Sequence, residues 1–123
     1  MNYTELTNAI KEYTDNTETT FVNNIPNFVR QTEERIYRSI LIPELRKNVT
    51  TSLTTSNRFL AKPTDFLAVF SIAVVDGSSN YSFLLPKDVN FIREAYPATG
   101  TTGLPLYYSL FDGDNFLLAP TPD

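Results

Sequence analysis

Apolar positions in the first third of the chain recur at helical spacing. Leu6, Ala9, Ile10 and Tyr13 fall at i, i+3, i+4 and i+7 and share one face. This predicts a helix over about 3–14, with Thr4 or Asn2 as its N-cap. Asp15-Asn16-Thr17 interrupts the pattern and caps a second helical segment over about 18–41. Its apolar stripe is Phe21, Ile25, Phe28, Val29, Ile36 and Ile40. Pro26 lies inside that segment. An interior proline costs about 3 kcal/mol, so a short helical turn is expected before Ile25 and a new helix with Pro26 at its first position. Arg30, Glu33, Glu34, Arg35 and Arg38 fill the other face, with Glu34 and Arg38 spaced for an i, i+4 ion pair. Pro43 ends the helix.

Beyond Pro43 the period falls to two. Leu45, Lys47, Val49, Thr51 and Leu53 alternate with Arg46, Asn48, Thr50 and Ser52, and Arg58-Phe59-Leu60-Ala61 returns after a turn at Thr54-Thr55-Ser56-Asn57. The prediction is a polar hairpin over about 45–61. Pro63-Thr64-Asp65 makes a turn. Phe66–Val75 is almost continuously apolar and β-rich, as in a buried strand. Asp76–Asn80 turns it into Tyr81–Leu85, giving a second hairpin over about 67–85. A short helix over about 87–96 follows Pro86 and stops at Pro97. Residues 98–104 form a Gly/Thr loop. A last hairpin spans about 105–119, turning at Asp112-Gly113-Asp114. Helices first and hairpins after define an α+β class, with the N-terminal helices packed on antiparallel hairpins.

Composition narrows the chemistry. The 123 residues, read as one domain, contain neither cysteine nor histidine. Disulfides, thiolate metal sites and cysteine nucleophiles are excluded, and the commonest general acid–base and zinc ligand is missing. The charge of −4 disfavours non-specific nucleic-acid binding, which depends on neutralising phosphates. No apolar run reaches the length of a membrane span, and Met1–Glu5 does not resemble a signal peptide. Synthesis in a cytoplasm is expected.

Motifs that resemble sites have simpler explanations. Asp112-Gly113-Asp114-Asn115 lacks the glycine and glutamate positions of an EF-hand and reads as a turn. Gly100-Thr101-Thr102-Gly103 lacks the Lys-Ser/Thr and the following helix of a P-loop. Glu33 and Glu34 point about 100° apart on a helix and cannot by themselves flank a glycosidic bond. Tyr81, Phe83, Tyr107, Tyr108, Phe111 and Phe116 suit sheet packing better than base stacking, because few basic residues are interleaved. Arg46, Lys47 and Arg58 form the one local basic cluster, a candidate partner-facing surface on the first hairpin. No catalytic residue, metal site or cofactor is expected.

Several segments taken together resemble one family. Tyr3-Thr4-Glu5-Leu6, Ile25-Pro26-Asn27-Phe28, Glu33–Arg38, Lys62-Pro63-Thr64-Asp65-Phe66-Leu67, Tyr96-Pro97, Thr102-Gly103-Leu104-Pro105-Leu106-Tyr107-Tyr108 and Leu118-Ala119-Pro120-Thr121-Pro122 follow the order and spacing of the head-to-tail adaptor proteins of tailed bacteriophages. The resemblance covers nearly the whole chain. It implies a structural virion protein in the neck between head and tail. Copies would form a ring, commonly of twelve, beneath the portal protein. The ring would extend the DNA channel and present a docking surface to tail or nozzle proteins, and DNA would pass the lumen without specific binding. A ring needs two complementary faces on each subunit, and Arg30, Glu33, Glu34 and Arg38 are the candidate for one. Pro26, Pro63, Asp65, Gly103, Pro105, Tyr107, Tyr108, Pro120 and Pro122 are the structural motif residues, with Gly103 expected at positive φ. Members of the family continue past the Pro-x-Pro segment into a further strand, helices and a tail, so a C-terminal part is expected to be missing after Asp123. The alternative from the residues alone is a small β-rich ligand- or receptor-binding module.

Overall fold

The computed structural model describes all residues from Met1 to Asp123, and the fold is α+β. The chain forms two compact units, Met1–Leu45 and Arg46–Asp123.

The first unit is helical. Helix α1 (Tyr3–Thr14) opens on a capping box. The Glu5 amide donates to Asn2 Oδ1 and the Asn2 amide to Glu5 Oε2, both at 2.9 Å, so two amides at the helix start find partners. Asn2 is thus the cap. Asp15 does not cap the next helix as expected. It closes α1 in the left-handed conformation (φ 48°, ψ 40°), its amide turned back to the Glu12 carbonyl, a role to which Asp and Asn are suited. Leu6 and Ile10 are half-buried, whereas Ala9 and Tyr13 are exposed, so the buried stripe is narrower than the periodicity suggested.

Helix α2 (Thr19–Ser39) runs without interruption through Pro26. The expected break before Ile25 is absent. Proline removes one amide, whose partner would have been the Val22 carbonyl, but neighbouring bonds remain. Ile25, immediately before it, is the one fully buried residue of the helix, and Phe21, Val22 and Val29 are half-buried. Anchoring this stretch offsets the cost of the proline. From Arg30 to Leu41, by contrast, every residue is exposed. A single 3₁₀ turn, Pro43–Leu45, follows.

The second unit is built on a four-stranded sheet of order β1-β6-β5-β4, with a separate β2–β3 ribbon. The strands are β1 (Phe59–Ala61), β2 (Ala73–Val75), β3 (Tyr81–Phe83), β4 (Leu85–Pro86), β5 (Tyr107–Leu110) and β6 (Asn115–Ala119), with helix α3 (Val89–Ala95) between β4 and β5. The last predicted hairpin is present as β5–β6, in register Tyr107↔Ala119 to Leu110↔Phe116. Strand β6 is central and apolar on both faces. Phe116 and Leu118 join Leu84 and Tyr108 on one side, covered by Leu53, Leu60, Phe66, Val69, Ile72 and Val74. Leu117 and Ala119 face Ile92 of α3 on the other, with Val89, Tyr96 and Tyr107 around them. A strand covered on both faces reads as a continuous apolar run, as Phe116–Ala119 does.

Three sequence expectations are corrected here. The polar hairpin over 45–61 does not form. Only Phe59–Ala61 is a strand, and it pairs with β6 (Phe59↔Leu117), because the Thr- and Asn-rich stretch before it offers little apolar surface to hold a ladder. The turn at Thr54–Asn57 is nonetheless present, closed by the Asn57 amide on the Thr54 carbonyl. The long strand Phe66–Val75 is reduced to Ala73–Val75, and Leu67 and Phe70 are exposed rather than buried. Finally, the hairpins that form are antiparallel, but the sheet also contains one parallel pair. The segment after Asp76–Asn80 first pairs with β2 (Val75↔Tyr81), then crosses at buried Leu84 to lie parallel to β5 as β4 (Leu85↔Tyr107). Helix α3 is where it was expected, one turn shorter, with the Asp88 side chain accepting from the Asn90 amide as its cap.

Candidate functional site

Some of the residues singled out by their motif, Gly103, Pro120 and Pro122 among them, gather around the end of β6, whereas Pro26 lies in α2 of the first unit. Pro105 is fully buried. After Ala119 the chain passes through a cis bond to Pro120 and pairs at Thr121, in parallel, with Thr102. The Gly103 amide donates to the Thr121 carbonyl (2.8 Å), the Thr121 amide to Thr101 (3.1 Å) and the Ser56 amide to the Pro122 carbonyl (2.8 Å). Gly103 has the expected positive φ, +158°, and a Cβ there would sit 3.6 Å from Pro120 Cγ. Tyr107 packs edge-on against Phe91 of α3, and Tyr108 against Phe116. Burial raises the Tyr108 phenol above its ordinary pKa. Pro63 turns the chain by accepting from the Phe66 amide (3.1 Å). These residues form the frame of the second unit, with hydrogen bonds directed at each other.

The mixed-charge face of α2 is a separate surface. Arg30, Glu34 and Arg38 lie at successive i+4 steps, and Glu33 is about 100° around the helix, beside the stripe containing Ile36 and Ile40. Glu34 pairs backwards with Arg30 (Nε to Oε1, 3.4 Å), not forwards with Arg38. Both partners are exposed, so the pair is worth little to stability. Arg38 instead lines a shallow depression with Gln31, Glu34, Arg35 and Ser39. Ile36, Tyr37, Ile40 and Leu41 are 43–68% exposed on the same stretch. The second half of α2 therefore offers solvent both apolar side chains and charges of either sign.

The basic trio is dispersed. Arg46 lies over the Phe70 ring, 3.8 Å from its centroid. Lys47 Nζ donates to Asp65 Oδ2 at 2.7 Å, and this bond, then the Asp65 backbone amide and the lysine charge, holds the Asp65 carboxyl below its ordinary pKa. Arg58 precedes β1, its carbonyl accepting from the Leu118 amide (2.8 Å) and its Nε enclosed without a partner. With the hairpin absent, no common face collects them.

Two exposed features depart from the sequence expectations, which read Tyr81 and Phe83 as sheet packing and Phe66–Val75 as a buried strand. On the β2–β3 ribbon, Tyr81 and Phe83 point to one side, rings stacked at 6.5 Å and 25°, and both are about two-thirds exposed. The turn at the ribbon tip is closed by the Asp76 carboxylate. Asp76 accepts from the amides of Ser78 and Asn80 and from the Asn80 side chain, bonds that lower its pKa, with the Asn80 side chain foremost. The second feature is an open groove of about 660 Å³ at the end of β5, walled by Phe66–Val69 on one side and Pro86–Val89 on the other. The signal for it was the apolar run Phe66–Val75, too long for the pairing available to it.

The comparisons agree with the motif pattern. No curated protein matches the chain significantly. A family model for the SU10 adaptor protein matches residues 1–123. With the whole length matched, the chain belongs to the SU10 adaptor protein family, in agreement with its resemblance to phage head-to-tail adaptors.

Proposed function

We propose that this protein is a non-catalytic component of the phage virion, a ring-forming adaptor between the portal protein and the tail. Copies of the chain, twelve in the closed ring, extend the DNA channel and present the surface on which tail or nozzle proteins dock. The observation that carries this reading, beyond family membership, is the second half of α2. The end of α2 from Arg30 and the two residues after it, Ile40 and Leu41, hold Ile36, Ile40 and Leu41 in solvent beside Arg30, Glu33, Glu34 and Arg38. A helix that is amphipathic yet uncovered has a face to give to a partner. The net charge of −4 suits a lumen through which DNA slides without being held.

The test is reconstitution. Purified portal rings mixed with this chain are examined by sedimentation and negative-stain microscopy, with Ile36→Asp/Ile40→Asp as the variant. The reading expects an added ring layer on the portal and its loss in the variant, whose helical signal stays intact. A wild-type chain that never associates with portal rings, at any concentration or salt, refutes it.

A further inference from the structure

Two Asp-Gly steps, Asp76-Gly77 and Asp112-Gly113, both lie in exposed turns. Such a step carries a latent reaction. The glycine amide nitrogen can attack the aspartyl Cγ, because glycine has no Cβ to hinder the approach. A C–N bond forms, the Cγ–OH bond breaks, and the hydroxyl leaves with the amide proton as water. Water then opens the five-membered imide at either carbonyl. One opening restores aspartate. The other leaves the main chain running through the former side chain as isoaspartate, one methylene longer. Nothing is oxidised or reduced. Neither turn requires its glycine, since neither residue has a positive φ and a Cβ on either would meet open space. The Gly77 amide makes no hydrogen bond of its own. Its electrophile is restrained. Asp76 Oδ1 accepts from the Ser78 and Asn80 amides (2.8 and 2.9 Å) and Oδ2 from Asn80 Nδ2 (3.0 Å). Such bonds favour the carboxylate over the acid, and the acid is the form that loses water. Asp112 is held in the same way by Asp114 and Asn115.

The two turns differ in what keeps them shut. The Asp112 turn joins β5 to β6, the two central strands, through four residue pairs. A third element also clamps it. The Lys62 amide donates to the Asp114 carbonyl (2.7 Å), and the Lys62 amine to the Asp112 carbonyl. The Asp76 turn ends a ribbon of three residue pairs that is separate from the four-stranded sheet. Its backbone bonds, Asp76 amide to Asn80 carbonyl (3.1 Å) and Ser79 amide to Asp76 carbonyl (3.0 Å), stay within the turn. A two-stranded ribbon is marginal by itself, and turns with such backing open at a lower free energy than the core. We propose that Asp76-Gly77 is a site of spontaneous backbone isomerisation in the folded protein, restrained by Asn80, and that Asp112-Gly113 is held unreactive by the sheet and Lys62. Isoaspartate at position 76 would abolish the carboxylate bonds of the tip and lengthen the chain beside the Val75↔Tyr81 pair. The exposed rings of Tyr81 and Phe83 would lose their fixed placement. The new main-chain carboxylate is the group that an isoaspartyl methyltransferase esterifies.

The test incubates the full chain in warm neutral buffer. Isoaspartate at each site is followed by peptide mapping with electron-transfer fragmentation, and by the labelled methyl groups that an isoaspartyl methyltransferase adds. The folded protein is expected to accumulate isoaspartate at least about tenfold faster at position 76 than at 112, a ratio set by the free energies of opening the two turns. In urea the two sites react at similar rates, faster than either does when folded. Equal rates in the folded protein, a faster reaction at 112, or isoaspartate at neither site overturns the proposal. Gly77→Ala adds a Cβ in open space, so its melting temperature stays at the wild-type value while the reaction at 76 falls at least about tenfold. Isoaspartate that still forms there at the wild-type rate refutes attack by this amide. Asn80→Ala is expected to speed the reaction at 76 several-fold and leave 112 unchanged, and an unaltered rate at 76 removes Asn80 as the restraint.

Discussion

Replacing Leu118 with alanine tests whether β6 organises the second unit. Leu118 is 1% exposed and sits on the central strand, packed with Leu84, Tyr108 and Phe116. The substitution removes apolar volume worth about 2–2.5 kcal/mol, at about 0.8 kcal/mol per buried methylene. Neighbouring strands fix the walls, because the Leu118 amide donates to Arg58 at 2.8 Å while β5 pairs with β6 through four residue pairs on its other side. Collapse is therefore limited, and the residual cavity adds about 1 kcal/mol. A total near 3–3.5 kcal/mol is a large part of the roughly 5 kcal/mol available to a small domain. It lowers the melting temperature by about 12–28 °C, at about 4–8 °C per kcal/mol for a unit of this size. Urea titrations read by near-ultraviolet circular dichroism, which follows the packed tyrosines, give the value. Leu67→Ala is the control, because Leu67 is 47% exposed and its truncation costs under about 1 kcal/mol. If Leu118→Ala loses less than about 1.5 kcal/mol, or no more than the control, the packing described for β6 is wrong.

Pro26→Ala restores an amide facing the Val22 carbonyl within an unbroken helix. It raises the stability of the Met1–Leu45 transition by about 1–3 kcal/mol, and lost helical ellipticity would contradict a continuous α2. Gly103→Val forces a β-branched residue to φ +158° and costs about 1–3 kcal/mol in thermal unfolding; unchanged stability refutes that strain. Asp65, Asp76 and Asp112 all have folded pKa values below their ordinary ones, Asp112 chiefly through the Asp114 amide and then the Asn115 side chain. A lowered folded pKa stabilises fully above the unfolded value near 4 and is lost as pH falls below it. Stability should thus decline on acidification below about pH 4, less steeply in Asp112→Asn, and an unchanged slope in that variant would count against the turn bonds.

Local signals carried some elements and failed for others, for physical reasons. Helix α1, helix α3 and the β5–β6 hairpin were legible because caps, turns and periodicity lie within each segment. Asn2 with Glu5, Asp88, and Asp112–Asp114 are such cues. Pro26 misled because its cost is local, whereas the burial of Ile25 that offsets it is tertiary. The strand expectations over 45–53 and 66–72 failed differently. A strand exists only when another lies beside it, and β6 takes Phe59–Ala61 as its neighbour instead. The parallel β4–β5 pair could not be read from the sequence, since nothing in Leu85-Pro86 names Tyr107 and Tyr108. On the candidate surface, spacing placed Arg30, Glu34 and Arg38 on one face but not the direction of the ion pair, which is decided by rotamers. Arg46, Lys47 and Arg58 are close in sequence, yet each was drawn to its own neighbour.

The central position of β6 bears on how the protein is made. Phe59 must wait for Leu117, and Tyr107 for Ala119. At ribosomal rates of about 5–20 residues per second, β1 waits roughly 3–12 s for its partner. During that interval the whole Phe66–Val75 run is in solvent with no sheet behind it. α1 and α2 form from contacts close in sequence and can be complete while the rest is still being translated. The nascent chain is therefore half structured and half adhesive until the last strand emerges, the stage at which a chaperone has most to hold.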